Sequence, residues 1–382
     1  MPRFFRRQTT DPSNVGAMKL KLSMGFAALL VSCSSSTPSP PSSGGDGGGD
    51  SGGTSASCSA AGVTALAELP VECAGLASSV DSLFTVDVRR GTDTPLGKSG
   101  VVLRVPKDGA AVSDIYTPDG PRKVQSIGAD RTDLFVAEFD PAASNEKSGR
   151  LSRKTLASGA VSSVLATGID KTFSSIVAVD ETHVYVAQPS TRSGVFGIYR
   201  VAKAGGSLET VVEVDSGAFT NVRLLGDEFS FVAGVTNLYR VSKNNGGAAA
   251  TSVASRTCTN GLATTPDAVY CGQPLELEKA GPLLESPQVL FRVDDVPYLD
   301  TAGASGPQPR LVTEDAVYVH FNPGANKLVP VVRVERATGA YRPVMCEVGW
   351  VGGLVVDEQL LYVLQVRDEK FESKSVLYKG PR

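Results

Sequence analysis

Short apolar runs broken by turn-forming residues recur along this chain, and residues 173–214 show the pattern most plainly. Four runs, 175–179, 184–187, 195–202 and 208–214, are rich in Val, Ile, Tyr and Phe, and the segments 180–182, 188–194 and 203–206 separate them. Brief runs of β-branched and aromatic residues between turn formers predict an antiparallel meander. Residues 176–179, Ile-Val-Ala-Val, are apolar on both parities, so both faces of this sheet must be covered. A four-stranded sheet sandwiched between copies of itself is a propeller blade.

The unit recurs. An aromatic on the second strand, after an acidic turn residue, returns at Phe84 (Asp81), Phe135 (Asp133), Tyr185 (Asp180), Phe231 (Asp227), Tyr270 (Asp267), Tyr318 (Asp315) and Tyr362 (Asp357), at spacings of 39 to 51 residues. A third-strand signature follows at Leu103-Arg104-Val105, Tyr199-Arg200-Val201, Tyr239-Arg240-Val241, Phe291-Arg292-Val293, Val332-Arg333-Val334 and Leu377-Tyr378-Lys379, with 150–156 as a degenerate copy. Residues 75–84 and 261–270 align without a gap. A β-sandwich has no reason to keep such a period for seven rounds. The expected fold is all-β: a seven-bladed β-propeller, with six blades as the alternative.

The last copy has three strands, and the apolar run 63–69 ahead of the first copy has no blade of its own. An unpaired sheet edge invites aggregation. The run 63–69 is therefore expected to close the ring as an N-terminal strand beside residues 375–378.

The chain before the ring reads as export and attachment. Residues 1–17 carry three arginines without apolar periodicity and fit an overcalled start; Lys19 and Lys21 then precede the apolar core 22–31, the order of a signal peptide. The core is shorter than the roughly 20 residues of a membrane span. Leu30-Val31-Ser32-Cys33 resembles the bacterial lipobox, which implies acylation of Cys33 and, with Ser34 next, attachment to the outer membrane. The domain reading is thus 1–33 signal peptide, 34–58 tether and 59–382 propeller. Ser, Gly and Pro dominate the tether, which cannot order itself; at about 5–6 Å per square root of residue it reaches roughly 25–30 Å.

Charge and cysteine usage narrow the partners. The chain carries −3, and without residues 1–32 it holds 32 basic against 39 acidic residues, a net of −7. No basic stripe is present, so nucleic acid is not an expected partner. Cys33, Cys58, Cys73, Cys258, Cys271 and Cys346 contain no Cys-x-x-Cys pair, which fits an oxidising compartment. Cys258 and Cys271 flank one hairpin and are the expected disulfide; the sequence does not choose among Cys58, Cys73 and Cys346.

In an up-and-down blade the first-to-second and third-to-fourth turns share one rim. On that rim the turns are short, as tight hairpins require. The second-to-third loops, read as 89–99, 140–149, 188–194, 273–287, 322–329 and 367–374, share the other rim, and long loops on a rigid scaffold are where function usually sits. Three residues past each second-strand aromatic lie Asp87, Glu138, Gln188, Gly234, Gln273, Phe321 and Gln365. Projecting toward the channel mouth, the polar five would hydrogen-bond a neutral or cationic ligand; the other reading is solvated strand ends. His320 and Trp350, the latter expected in the connection into the last blade, join the same rim as candidate ligand contacts.

Catalytic patterns are sparse. There is no Gly-x-Ser-x-Gly, no His-Glu-x-x-His, and only two histidines, His183 and His320. Residues 91–99 end in Gly97-Lys98-Ser99 but miss the phosphate-loop spacing by one residue. Asp87 and Glu138 are the pair that would act as acid and base or share a divalent metal. No cofactor is expected.

The recurring Asp ahead of Tyr-Val on the second strand, as at Asp180 with Tyr185-Val186 and Asp357 with Tyr362-Val363, followed by Tyr-Arg-Val-x-Lys and Gly-Gly, resembles the YWTD and NHL-type propellers, especially propeller lipoproteins of the myxobacterial kind. The Trp-Thr-Asp of that pattern is replaced by Val-Ala-Gln at 186–188 and Val-Leu-Gln at 363–365, so no functional residue carries over. The expectation is a monomeric, lipid-anchored binding module for a small molecule or an envelope protein. A propeller hydrolase or lyase using channel-mouth carboxylates with a divalent metal is the alternative.

Overall fold

A computed structural model describes Cys58 and residues 60–382, apart from 70–72, 89–99, 158–161, 172–173, 216–218, 235, 297–298, 300–305, 322–328 and 367–374. These residues form seven antiparallel sheets of four strands each. The inner strands, which line the axis, are Cys73–Ser78, Lys123–Ala129, Ser175–Val179, Phe219–Leu225, Leu262–Thr264, Pro307–Val312 and Trp350–Val356 in blades 1 to 7. The second strands are Ser82–Asp87, Asp133–Phe139, His183–Pro189, Glu228–Ala233, Val269–Gly272, Ala316–Phe321 and Leu360–Val366. No helix among the described residues is long and apolar enough to cross a membrane.

The ring closes as the sequence predicts. Thr64–Leu69 pairs antiparallel with Ser375–Pro381, with Ala67 opposite Leu377 and Leu69 opposite Ser375, and so supplies the fourth strand of blade 7. A disulfide from Cys58 to Cys346 fastens the chain ahead of this strand to the outer strand of blade 6. Cys258 and Cys271 form the expected second bridge, and Cys73 is buried in the core.

Apolar runs on both parities are explained by burial on both faces. Among the described residues each of seven apolar clusters lies at one interface between neighbouring blades. Phe135, Leu151 and Ile169 of blade 2, for example, meet Val184, Val186 and Val201 of blade 3. Burying each such side chain contributes about 1.5–3 kcal/mol. The interface between blades 4 and 5 is the leanest: Val232, Leu238, Leu262 and Val269 are its fully buried members.

Ion pairs repeat the same architecture on the short-turn rim. The acidic residue in the first turn of one blade takes a cation that follows the third strand of the next: Asp130 with Lys203, Asp180 with Lys243, Asp267 with Arg336, Asp315 with Arg382 and Asp357 with Lys107. The cation stands three residues after the Arg or Lys of the third-strand signature. At that offset blades 2 and 5 carry Leu156 and Pro282. Asp81 and Asp227, facing those two blades, pair instead with Arg104 and Lys243 of their own side of the interface. Leu156 packs into the apolar cluster between blades 1 and 2, and the carbonyl of Pro282 accepts a hydrogen bond from Arg240.

Blade 5 corrects one strand assignment. Its third strand is Glu276–Ala280, and Phe291-Arg292 belongs to the outer strand Gln288–Arg292. Glu-Leu-Glu-Lys-Ala lacks the aromatic or β-branched residue before a cation that marks most third strands, and the matching Phe291-Arg292 falls at the end of the outer strand instead. In blade 2 the turn-forming acid that pairs with the next blade is Asp130, five residues before Phe135, rather than Asp133.

Candidate functional site

The polar residues at the ends of the second strands are buried; they are not solvated ends. Asp87, Glu138, Gln188 and Gln365 are buried and Gln273 is half-buried. The second strand is flanked by strands on both edges and by blades on both faces, so its last side chain meets the segment arriving from the previous blade. The side-chain oxygen of Gln188 accepts from the amide of Asp170 at 2.9 Å, in the connection from blade 2 to blade 3. Gln273 donates to the carbonyl of Thr257, and its own carbonyl accepts from Asn260, both in the connection into blade 5.

Glu138 is the most heavily engaged. Its Oε1 accepts from Tyr116 Oη at 2.6 Å, Ser152 Oγ at 2.6 Å and Arg150 Nε at 2.8 Å. Tyr116 ends the outer strand of blade 1, so this carboxylate ties two blades together while Arg150 also reaches Asp119. Burial, and then the hydrogen bond to Glu138, push the Tyr116 phenol up to about 12.

His320, Gln365 and Trp350 come together at the entry to blade 7. The Nε2 of His320 lies 3.1 Å from the carbonyl oxygen of Gly349, and a Cβ on Gly349 would stand 3.3 Å from the amide nitrogen of Gln365. Trp350 follows, half-buried, as the first residue of the inner strand and not within the connection, and pairs with Val366. His320 Nδ1 and Gln365 Oε1 are buried without hydrogen-bond partners. Burial, then the charge of Arg310, pull the imidazole down to about 3, the Gly349 contact opposing them. The ring is therefore neutral, and its Nε2–H donates to Gly349.

No family of known proteins matches this sequence, and neither does any curated protein. Solved structures do. YCF48 bound to a D1 peptide is 11% identical with a TM-score of 0.54, covering 83% of this chain and 94% of that one. Oligogalacturonate lyase from Vibrio parahaemolyticus is 12% identical with a TM-score of 0.53, covering 84% and 93%. YCF48 from Cyanidioschyzon merolae is 13% identical with a TM-score of 0.52, covering 84% and 99%. The likeness is one of fold: this chain is a seven-bladed β-propeller.

The two rims differ, though not wholly as the sequence predicts. Loops 140–149 and 188–194 stand on the expected rim, where Lys147 Nζ donates to the carbonyl of Pro189 and Lys171 Nζ to that of Ala143. Residues 89–99, 322–328 and 367–374 lie outside the described residues, as does Cys33. Segment 273–287 is not one loop. The strand Glu276–Ala280 divides it, so 281–287 belongs to the short-turn rim, where Leu283 is exposed. That rim also holds a concavity of about 730 Å³ lined by turns of blades 7, 1, 2 and 3, including Val80, Lys107, Arg131, Asp357 and Glu358. Val80 is 67% exposed there.

Among the described residues no three His, Cys, Asp or Glu side chains converge as metal ligands. The sequence reading passed over the cations of the short-turn rim and two arginines on inner strands, Arg223 and Arg310. The fixed offset from the third-strand signature was legible for the first group. A basic residue in an otherwise small or apolar inner strand was the mark of the second.

Proposed function

We propose that this protein is an exported, lipid-anchored propeller that holds a small ligand or an envelope protein on its long-loop rim and catalyses no reaction. Cys33 is the lipid attachment, the tether 34–58 sets its reach, and the outer membrane is the proposed location. One observation carries the non-catalytic reading. The acid best placed for proton transfer near that rim, Glu138, is buried with one oxygen committed to Tyr116, Arg150 and Ser152, while loops 140–149 and 188–194 present exposed residues beside it. A structural relative carries a peptide, which supports protein binding as a use of such a ring. The pattern of Asp, Tyr and Tyr-Arg-Val supports reading the ring as similar to the YWTD and NHL-type propellers.

The test is a thermal-shift screen of the full chain against divalent metals, sugars and cell-wall fragments, with product analysis of each mixture. A shift reduced by substitutions in loops 140–149 or 188–194, with the ligand recovered intact, is the expected result. A metal-dependent shift abolished by Glu138→Ala together with cleavage of the ligand would replace this reading with the hydrolase or lyase. Fractionation of a Cys33→Ser variant tests the anchor: the protein should leave the membrane fraction.

A further inference from the structure

The inner wall of the ring carries charge of one sign. Among the described residues the seven inner strands hold Lys123, Arg223 and Arg310 and no Asp or Glu, although the chain is net negative. Two of the three meet. Arg223 of blade 4 reaches past blade 5, whose inner strand is only Leu262–Thr264, and its Nη2 donates to the main-chain carbonyl of Arg310 in blade 6.

Both residues sit where the inner strands slip out of register. The ladder of blade 4 breaks between Thr220 and Arg223, and that of blade 6 between Pro309 and Leu311, which leaves Arg310 bulged. A bulge re-aims its side chain out of the pleat, and on the strand nearest the axis the open direction is the channel. Arg310 is solvent-accessible, yet burial pulls its pKa below the ordinary guanidinium value. Water reaching the group while protein crowds it suits a place on the channel wall.

Neither guanidinium has a counter-charge among the described residues. Among the described residues the side chain of Arg310 makes no hydrogen bond or ion pair, and Arg223 Nε is buried without a partner. Burial, then repulsion from Arg310, lower Arg223 to about 10. Other shielded arginines are answered by carboxylates: Arg150 by Glu138 and Asp119, Arg333 by Asp315 and Glu335, Arg336 by Asp267. Two unanswered cations side by side destabilise the ring that holds them, and the planar fork of a guanidinium matches the two oxygens of an oxyanion.

We propose that Arg223 and Arg310 form an anion site on the channel wall, opened by the short inner strand of blade 5, that holds a carboxylate or phosphate-type oxyanion between the two guanidinium groups. The site is independent of ligand binding on the rim. It recognises a terminal or isolated oxyanion by charge and by paired donors, and it leaves the neutral His320 beside Arg310 as a further polar neighbour.

The experiment is titration calorimetry and thermal unfolding of the full chain with sodium phosphate, citrate or acetate against sodium chloride at matched ionic strength. Citrate and acetate report on carboxylates, phosphate on phosphoryl groups. At least one oxyanion should raise the midpoint with concentration where chloride does not, as a ligand of the folded state must. Arg310→Gln should weaken that oxyanion at least tenfold, Arg310→Lys less, and Arg310→Gln in chloride should unfold no earlier than the parent because a like charge has been removed. Should Arg223→Gln fail to fold through loss of its bond to the Arg310 carbonyl, the Arg310 variants still decide the matter. Oxyanions indistinguishable from chloride, or an Arg310→Gln variant that binds as tightly as the parent, would overturn the proposal. Neither outcome bears on the rim loops.

Discussion

The Oδ2 of Asp180, in the first turn of blade 3, lies 3.1 Å from the Nζ of Lys243, which follows the third strand of blade 4. The same carboxylate accepts from the amides of Thr182 and His183 and from Tyr185 Oη. One side chain thus shapes a turn, orients the recurrent aromatic and joins two blades. Asp357 does the same with Gln359, Leu360, Tyr362 and Lys107.

Acid should loosen these joints in a defined window. Burial raises the carboxyl pKa of Asp180, but the amides of Thr182 and His183, then Tyr185 and Lys243, outweigh it and hold the group well below the usual carboxylate range. A depressed folded-state pKa contributes stability that is present above the unfolded value of 3.8 and lost as pH falls through the folded value. Urea midpoints should therefore drop below pH 4, and Asp180→Asn should remove part of that slope. A variant with the parent's acid slope would show that the pair contributes nothing.

Glu138 should matter for stability. Glu138→Ala leaves Arg150 and two hydroxyls without their acceptor, and breaking such a buried pair costs about 3–5 kcal/mol. Tyr116→Phe removes one hydrogen bond to a charged group and should cost about 1.5–3 kcal/mol, measured by urea unfolding. Because the Tyr116 phenol rises from 10.0 to about 12, its contribution is complete below pH 10 and disappears as pH climbs toward 12. The gap between parent and Tyr116→Phe should narrow over that interval.

His320 predicts a second slope at milder pH. Its imidazole falls from 6.5 to about 3 in the fold, so the unfolded chain binds the extra proton between those values and stability declines as pH drops below 6.5. The imidazole proton resonances should stay in the neutral position from pH 8 to pH 4. A midpoint near 6.5 would contradict the burial described for this ring, and His320→Gln should flatten the stability profile over the same range.

The closing strand depends on a covalent tie. The Cys58–Cys346 bridge spans 288 residues of sequence, and in a chain-entropy account closing so long a loop is worth roughly 5–6 kcal/mol. Cys346→Ser should lower the unfolding free energy by that order and raise amide exchange first in Thr64–Leu69. Deleting the chain through Leu69 exposes the edge of Ser375–Pro381 and should produce oligomers on size-exclusion chromatography.

How much of this was legible follows from what each pattern encodes. The aromatic after an acid, repeated seven times, marked the second strands because every blade needs one buried strand with a hydroxyl or ring near its turn. Blade 5 escaped in part, since Glu276–Ala280 alternates charge with small residues and reads like a loop. Arg223 and Arg310 stayed hidden because they lie 87 residues apart and meet only where Leu262–Thr264 is too short to separate them.

The repeated four-stranded unit and the closure by Thr64–Leu69 were determined by the sequence alone, because local hydrophobic period and a missing strand leave few ways to cover every apolar face, whereas seven blades rather than six, and the third strand of blade 5, were fixed by the tertiary structure. Which Cys bridges Cys58, which acid answers which cation, and which polar residues are buried rather than open were decided only in three dimensions. Those choices depend on neighbours one blade away, 63 residues off for Lys243 and Asp180, 73 for Lys203 and Asp130 and 288 for Cys58 and Cys346, and curvature of the ring, not spacing along the chain, brings them within reach.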